Sequence, residues 1–190
     1  MSLTSPTHDR CARALGVALC VTHLNPHDVR RRANEARAIA RRAASEAPFM
    51  LVGDLNTLSS LDEAEHVASS LTAKINQGPY ARQLRRKFLD APASSVDYTP
   101  MKVLLDSPLV DVGADGGYSV PTSINADHMH FATLRLDYCL VNEALLSRCS
   151  NERRRVRARL VRDGRTDMLS DHYPLEARFY SLPTDSDVEQ

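Results

Sequence analysis

Pro48-Phe49-Met50-Leu51-Val52-Gly53-Asp54-Leu55-Asn56 is the stretch that decides how this chain folds. Pro48 stops whatever precedes it. The apolar run Phe49 to Val52 then reads as a strand buried on both faces, as strands in the middle of an α/β sheet are. Gly53 allows a close backbone approach or an unusual φ. Beyond it, Asp54 and Asn56 point the same way, because side chains of an extended chain alternate with period two. An acid and an amide aimed together suit a divalent cation, a phosphate or an attacking water. An Asx-type turn after a strand is the plainer alternative.

Toward the N-terminus, Leu15 to Thr22 reads as a second buried strand that runs into His23-Leu24-Asn25-Pro26. Asp28 is placed as the N-cap of a helix reaching to about Glu46. Val29, Ala33, Ala36, Ile39, Ala40 and Ala43 form its apolar stripe. Arg30, Arg31, Arg32, Arg37, Arg41 and Arg42 fall on its other faces and read as a solvated surface. Strand, helix, strand is a βαβ order, which predicts an α/β class.

Toward the C-terminus, helices are expected over Ser60 to Asn76, Tyr80 to Asp90 and Met101 to Asp106, with a short strand or turn at Leu109 to Val112. Tyr118 to Phe131 reads as a long irregular loop, and such loops in small domains tend to be functional. Strands follow at Leu134 to Val141, at Val156 to Leu160, and over the alternating Leu175, Ala177 and Phe179. Three regions are delimited: a disordered N-terminus over 1–10, a domain over 11–182 and a polar tail over 183–190.

The chain has 190 residues, 43% apolar and 25% charged, which suits one folded domain. Lys+Arg and Asp+Glu are both 24, so no global charge draws it to nucleic acid or membrane, although a local basic groove remains open. Arg30 to Arg42 and Glu152 to Arg159 are the basic segments. Cys11, Cys20, Cys139 and Cys149 contain no Cys-x-x-Cys pair, which argues against structural zinc. Reduced, buried thiols in strand-like runs point to an intracellular compartment, cytoplasmic or nuclear. No run is apolar and long enough to cross a membrane.

Polar groups at the ends of apolar strands carry the chemistry. They are His23, the Asp54/Asn56 pair, Asp137 and the Asp171-His172 pair. A buried strand aspartate such as Asp137 needs a donor, and His172 is the natural imidazole for it to orient. Asp171 then points elsewhere and is free for a metal. Taken singly, His23 reads as a packed histidine and Asp171-His172 as a turn. Together they are a parts list for metal-assisted phosphoester hydrolysis. Asp127, His128 and His130 form either a second metal cluster or part of a substrate loop.

Val21-Thr22-His23-Leu24, Val52-Gly53-Asp54-Leu55-Asn56, Leu134-Arg135-Leu136-Asp137-Tyr138-Cys139-Leu140 and Leu169-Ser170-Asp171-His172-Tyr173-Pro174 resemble, in order, the later motifs of the endonuclease/exonuclease/phosphatase (deoxyribonuclease-I-like) superfamily. The resemblance spans about Leu15 to Phe179. It implies a four-layer αββα sandwich and hydrolysis of a phosphodiester or other phosphoester with Mg²⁺ or Mn²⁺. By resemblance, His23 contacts the scissile phosphate, Asp54 positions or deprotonates the attacking water, and Asn56 orients the phosphate. Asp137 orients His172, the catalytic histidine. Asp171, Asp54 and Asn56 are the implied metal ligands, and Arg135 an implied substrate contact. Substrates in this group include nucleic acids, phospholipids and inositol phosphates.

The chain also departs from the pattern. The family's fold opens on a strand bearing an asparagine, and a later strand carries a metal-binding glutamate, typically after a glutamine. No Gln-Glu pair occurs here. The expectation is therefore the second half of the fold plus a middle strand. A truncated product, half of a split protein or a module pairing with another chain or a second copy would all fit. One apolar sheet face should then lack its partner. The rival to an active hydrolase is a non-catalytic fragment serving as a protein-interaction or regulatory module.

Overall fold

The computed structural model describes residues 10–14, 16–45, 48–92, 94–114, 116–149 and 156–178. In chain order its elements are β1 (Arg10–Ala14), β2 (Val17–His23), α1 (Val29–Ser45), β3 (Phe49–Asp54), α2 (Glu63–Ala68), α3 (Leu71–Ile75), α4 (Ala81–Phe88), α5 (Thr99–Leu105), β4 (Leu109–Asp111), β5 (Asp137–Asn142), α6 (Glu143–Arg148), β6 (Arg157–Leu160) and β7 (Leu175–Arg178). Most of the expected N-terminal segment, the end of the last strand and the polar tail lie outside the described residues, as does the first half of the second basic segment.

Five strands form one sheet in the order β1-β2-β3-β5-β4, and β6 and β7 form a separate antiparallel pair. β2 and β3 run parallel, joined through α1, while β3 and β5 pair antiparallel. The alternation of β2, β3 and β5 splits their side chains between two cores. On one face Ala18, Cys20, Phe49, Leu51 and Leu140 pack with Ala36, Ile39 and Ala43 of α1 and Met101 and Leu104 of α5. On the other, Val17, Met50, Cys139 and Val141 pack with Leu145 and Cys149, and with Ala158, Leu175 and Ala177 of the β6–β7 pair. Helices, sheet and second sheet are thus stacked as layers, in keeping with the α/β sandwich expected. The sheet face expected to lack a partner is covered over β3 and β5. It is open at its margins, where Val21 is 44% and Val110 48% exposed.

Several elements differ from the sequence reading. The first strand is a hairpin, with β1 folding back on β2 through Gly16 at φ +71°. The segment expected as one helix over Ser60 to Asn76 begins as a 3-10 turn at Ser60–Asp62. It then breaks between α2 and α3 at Ser70, which adopts φ +53°. Asn142 accepts from Leu145 N–H (3.1 Å) and caps α6, a helix the reading did not include. Residues 134–136 precede β5 rather than belong to it; Leu134 forms an isolated bridge with Val120. Arg32 is not on the solvated face of α1 but 1% exposed.

Candidate active site

Strand register gathers the site. His23 sits opposite Asp54 across the parallel β2–β3 pair, and Asp54 sits opposite Asp137 across the antiparallel β3–β5 pair. One imidazole and two carboxylates therefore stand in a row at one end of the sheet. Two further backbone bonds carry the ladder past that end, Leu24 N–H to the Asp54 carbonyl (3.0 Å) and Leu55 N–H to the Leu136 carbonyl (2.8 Å). Gly53 makes this approach possible. It sits at φ +143°, and a Cβ there would press into the Thr22 carbonyl group.

His172 comes from the loop between β6 and β7. Its Nδ1 lies 2.7 Å from Asp137 Oδ2. Burial works against the imidazolium. The bond to Asp137 and the charges of Asp137, Asp54 and Asp171 outweigh it and hold His172 above its ordinary value. The Asp54 carboxyl is pushed up by burial and by the like charge of Asp137, partly offset by the Asn56 N–H and the histidines. His23 is exposed, with Nε2 3.4 Å from Asp54 Oδ2. The loop preceding β5 locks both members of the Asp137–His172 pair. The buried Ser119 Oγ accepts from Leu136 N–H (2.9 Å) and Asp137 N–H (3.2 Å), and its carbonyl accepts from Tyr173 N–H (2.9 Å). Nothing in the local sequence around Ser119 signals this role.

Asp54, Asp137 and His172 each offer a ligand atom, and the three lie within 4.8 Å of one another. Two half-buried carboxylates facing each other beside an imidazole are a donor set that fits a divalent cation, whose charge would relieve their mutual repulsion. Asp171, expected among the ligands, is exposed and outside this group. Its Oδ1 lies 3.3 Å from Ser170 Oγ. Among the described residues Asp127, His128 and His130 form no metal cluster. His128 stacks on Tyr80 at 4.1 Å, and His130 Nε2 lies 3.1 Å from the Asn125 carbonyl.

Two expected substrate contacts are placed differently. Asn56 is 2% exposed and fully engaged. Its backbone N–H and its Nδ2 donate to the two Asp54 oxygens (2.7 and 3.0 Å), and Nδ2 also donates to the Leu24 carbonyl (3.1 Å). Its Oδ1, the atom that would ligate a cation, accepts from Lys87 Nζ at 2.7 Å. Asn56 therefore holds Asp54 in place, with neither amide proton spare for a phosphate. Arg135 is 5% exposed. It grips Asp62 with Nε and Nη2 (3.0 and 3.1 Å) and Asp111 with Nη1 (2.6 Å), and stacks on Tyr138. That commitment makes it a strut between loops. Lys87, Arg32 and Ser119 are the site groups that sequence reasoning missed, because each reaches the site from a distant segment.

An open polar cleft of about 520 Å³ lies against the same loops, lined among others by Tyr118, Thr122, His130, Phe131, Asp167 and Tyr173. Thr122 Oγ1 donates to the Ser170 carbonyl (2.6 Å), and Ser123 and Tyr173 hold Asp167. The loop expected to choose the substrate thus packs against the segment that carries His172.

The structure is thus a layered α/β sandwich with an acid–acid–imidazole cluster at its strand ends. The chain belongs to the endonuclease/exonuclease/phosphatase family, whose model matches residues 3–172. No curated protein matches it. Among solved structures it is similar to a 3'-5' exonuclease (NExo) from Neisseria meningitidis, with 18% identity and a TM-score of 0.57 over 90% of this chain and 64% of that one. A substituted form of the 3' phosphatase NExo from Neisseria, bound to product DNA hairpin, gives 17% identity and a TM-score of 0.58 over the same shares, 90% and 64%. An AP endonuclease from Archaeoglobus fulgidus gives 16% and 0.54, over 89% of this chain and 63% of that one. The chain spans less than two thirds of the length of these relatives. Among the described residues no helix is long and apolar enough to cross a membrane.

Proposed function

We propose that this protein is a divalent-metal-dependent phosphodiester hydrolase acting on nucleic acid. The observation that carries the reading is the 2.7 Å contact of His172 Nδ1 with Asp137 Oδ2 beside the raised carboxyl of Asp54. Asp54, with Asp137 and His172 beside it, would hold Mg²⁺ or Mn²⁺, which supplies Lewis-acid polarisation of a phosphoryl oxygen.

The residues divide the remaining work. Asp54, held by Asn56, positions the attacking water and accepts its proton. His172 has Nδ1 committed to Asp137, so Nε2 is the atom that handles the proton or the developing charge. His23, exposed beside Asp54, contacts the phosphate. Nucleic acid is favoured over lipid or inositol phosphate by α4, whose Arg82, Arg85 and Arg86 are exposed on the helix that delivers Lys87 to the site. Arg30 and Arg31 of α1 extend the basic surface. Such a stripe suits successive backbone phosphates. The solved relative with a DNA hairpin agrees with this choice. The buried, reduced thiols of Cys139 and Cys149 favour an intracellular setting.

The test is a substrate panel of single-stranded and duplex oligonucleotides, a phosphatidylinositol phosphate, sphingomyelin and an inositol polyphosphate. Each is assayed with Mg²⁺, with Mn²⁺ and after chelation. Metal-dependent oligonucleotide cleavage is expected, falling steeply with salt. Cleavage confined to the lipids or the inositol phosphate would reassign the substrate, and cleavage that survives chelation would remove the metal.

A further inference from the structure

We propose that Lys87 is a catalytic residue of this centre, its ammonium binding the scissile phosphate directly beside Asn56 and Asp54. The inference rests on the hydrolase reading above and adds to it a residue that lies outside all the motifs.

Lys87 is the penultimate residue of α4 and half-buried. One of its protons goes to Asn56 Oδ1 at 2.7 Å. Among the described residues no carboxylate lies within 4.0 Å of it, and its other contact is the neighbouring Phe88 ring, 5.1 Å to the centroid. Two N–H donors are left over. A cation withdrawn from water without a counter-anion is costly, and surplus donors make it more so. Lysine serves phosphates as a point charge with rotatable donors, which is what this position offers.

Arg32 supplies an independent second observation. It is 1% exposed, and its acceptors are two backbone carbonyls, those of Asn25 (2.9 Å) and Lys87. Its Nε is buried without a hydrogen-bond partner. One guanidinium thus fixes the loop that follows His23 and the end of α4 that bears Lys87, and adds a second positive charge, with no carboxylate hydrogen-bonded to it, behind them. Asp54 acts through space on both cations, on Arg32 behind Asp97, Asp28 and Glu35. Lys87, with no carboxylate in contact and Asp54 as the acid acting on it through space, leaves room for an anion, and a phosphate supplies both the charge and the acceptor oxygens. A purely structural role for Lys87, bridging to Asn56, would need one donor and no charge.

Three variants separate these roles: Lys87→Met, Lys87→Gln and Lys87→Arg. Glutamine keeps an N–H for Asn56 Oδ1 but no charge. Binding of inorganic phosphate is measured by titration calorimetry without added divalent metal, and turnover of bis(4-nitrophenyl) phosphate with Mg²⁺. Far-UV circular dichroism and melting confirm the fold. Lys87→Met and Lys87→Gln should both weaken phosphate binding about 10- to 100-fold and lower kcat about 100-fold or more, and Lys87→Arg should recover part of both. Wild-type phosphate affinity in a folded Lys87→Gln would overturn the proposal. If the wild type binds phosphate through Lys87 yet turns over nothing, the hydrolase reading fails and the phosphate site stands. If the wild type is active and the uncharged variants match it, the Lys87 proposal fails alone.

Discussion

Gly53→Ala tests the geometry on which the site depends. Gly53 is paired with Thr22 across the parallel β2–β3 register, one residue before the His23–Asp54 pair. An added Cβ would fall inside the van der Waals shell of the Thr22 carbonyl oxygen and 3.0 Å from its carbonyl carbon, and φ is +143°. Both obstacles are backbone, so no side chain can swing aside. Overpacking costs about 1–3 kcal/mol, and a non-glycine residue in that φ region about 1–3 kcal/mol more. The expected loss is about 2–6 kcal/mol, a large share of the roughly 5–15 kcal/mol typical of a domain. Two controls divide the sum. Gly78→Ala meets nothing within 4 Å but has φ +77°, and Gly164→Ala meets nothing and has no such φ. They should cost about 1–2 kcal/mol and less than about 0.5 kcal/mol respectively. Urea unfolding followed by circular dichroism measures all three. A Gly53→Ala midpoint equal to that of the wild type, or a larger loss at Gly78, would refute the close approach of β2 and β3.

Three further outcomes follow from the contacts. His172 should titrate above 6.5 by NMR, and Asp137→Asn should move it down, since the carboxylate holds it up against burial. Because its folded value is raised, its contribution to stability is full below pH 6.5 and is lost as pH rises through that value; raised Asp54 acts with the same sign above 3.8. A His172 value unmoved by Asp137→Asn would contradict the pairing. Arg135→Met should cost about 3–5 kcal/mol in urea unfolding, because it strands Asp62 and the buried Asp111; a loss below about 1 kcal/mol would show the ion pairs to be dispensable. Ser119→Ala should cost about 1–3 kcal/mol and lower kcat more than it raises KM, since the Ser119 hydroxyl holds the Leu136 and Asp137 backbone without reaching substrate; unchanged kcat would deny it a positioning role.

The parts that could be read from sequence are those with strong local signals. The apolar run of β3, the capped amphipathic α1 and the polar groups ending the strands mark themselves by period and composition. The strand–helix–strand order sets β2 parallel to β3 and His23 beside Asp54, while Asp137 joins through the antiparallel β5 and His172 through a later loop. Long-range pairings leave no such mark. Arg135 resembles a substrate arginine until Asp62 and Asp111, 73 and 24 residues away, are seen to hold it. Arg32 lies among solvated arginines and is buried because α4 comes to rest over it, and Lys87 reaches Asn56 across 31 residues. β1 escapes because Arg10-Cys11-Ala12-Arg13-Ala14 carries little apolar weight, and α6 because six residues are too few to show a helical period.

The most direct test of the account is kcat for a Mg²⁺-dependent phosphodiester assay with His172→Ala and Asp54→Asn against the wild type, each shown to be folded. A centre of this kind predicts metal-dependent turnover by the wild type and a fall of about 10²–10⁴-fold in each variant. No turnover by folded wild-type protein at any Mg²⁺ concentration, or variants that match it, would contradict the claim that Asp54 and the Asp137–His172 pair form a hydrolytic centre.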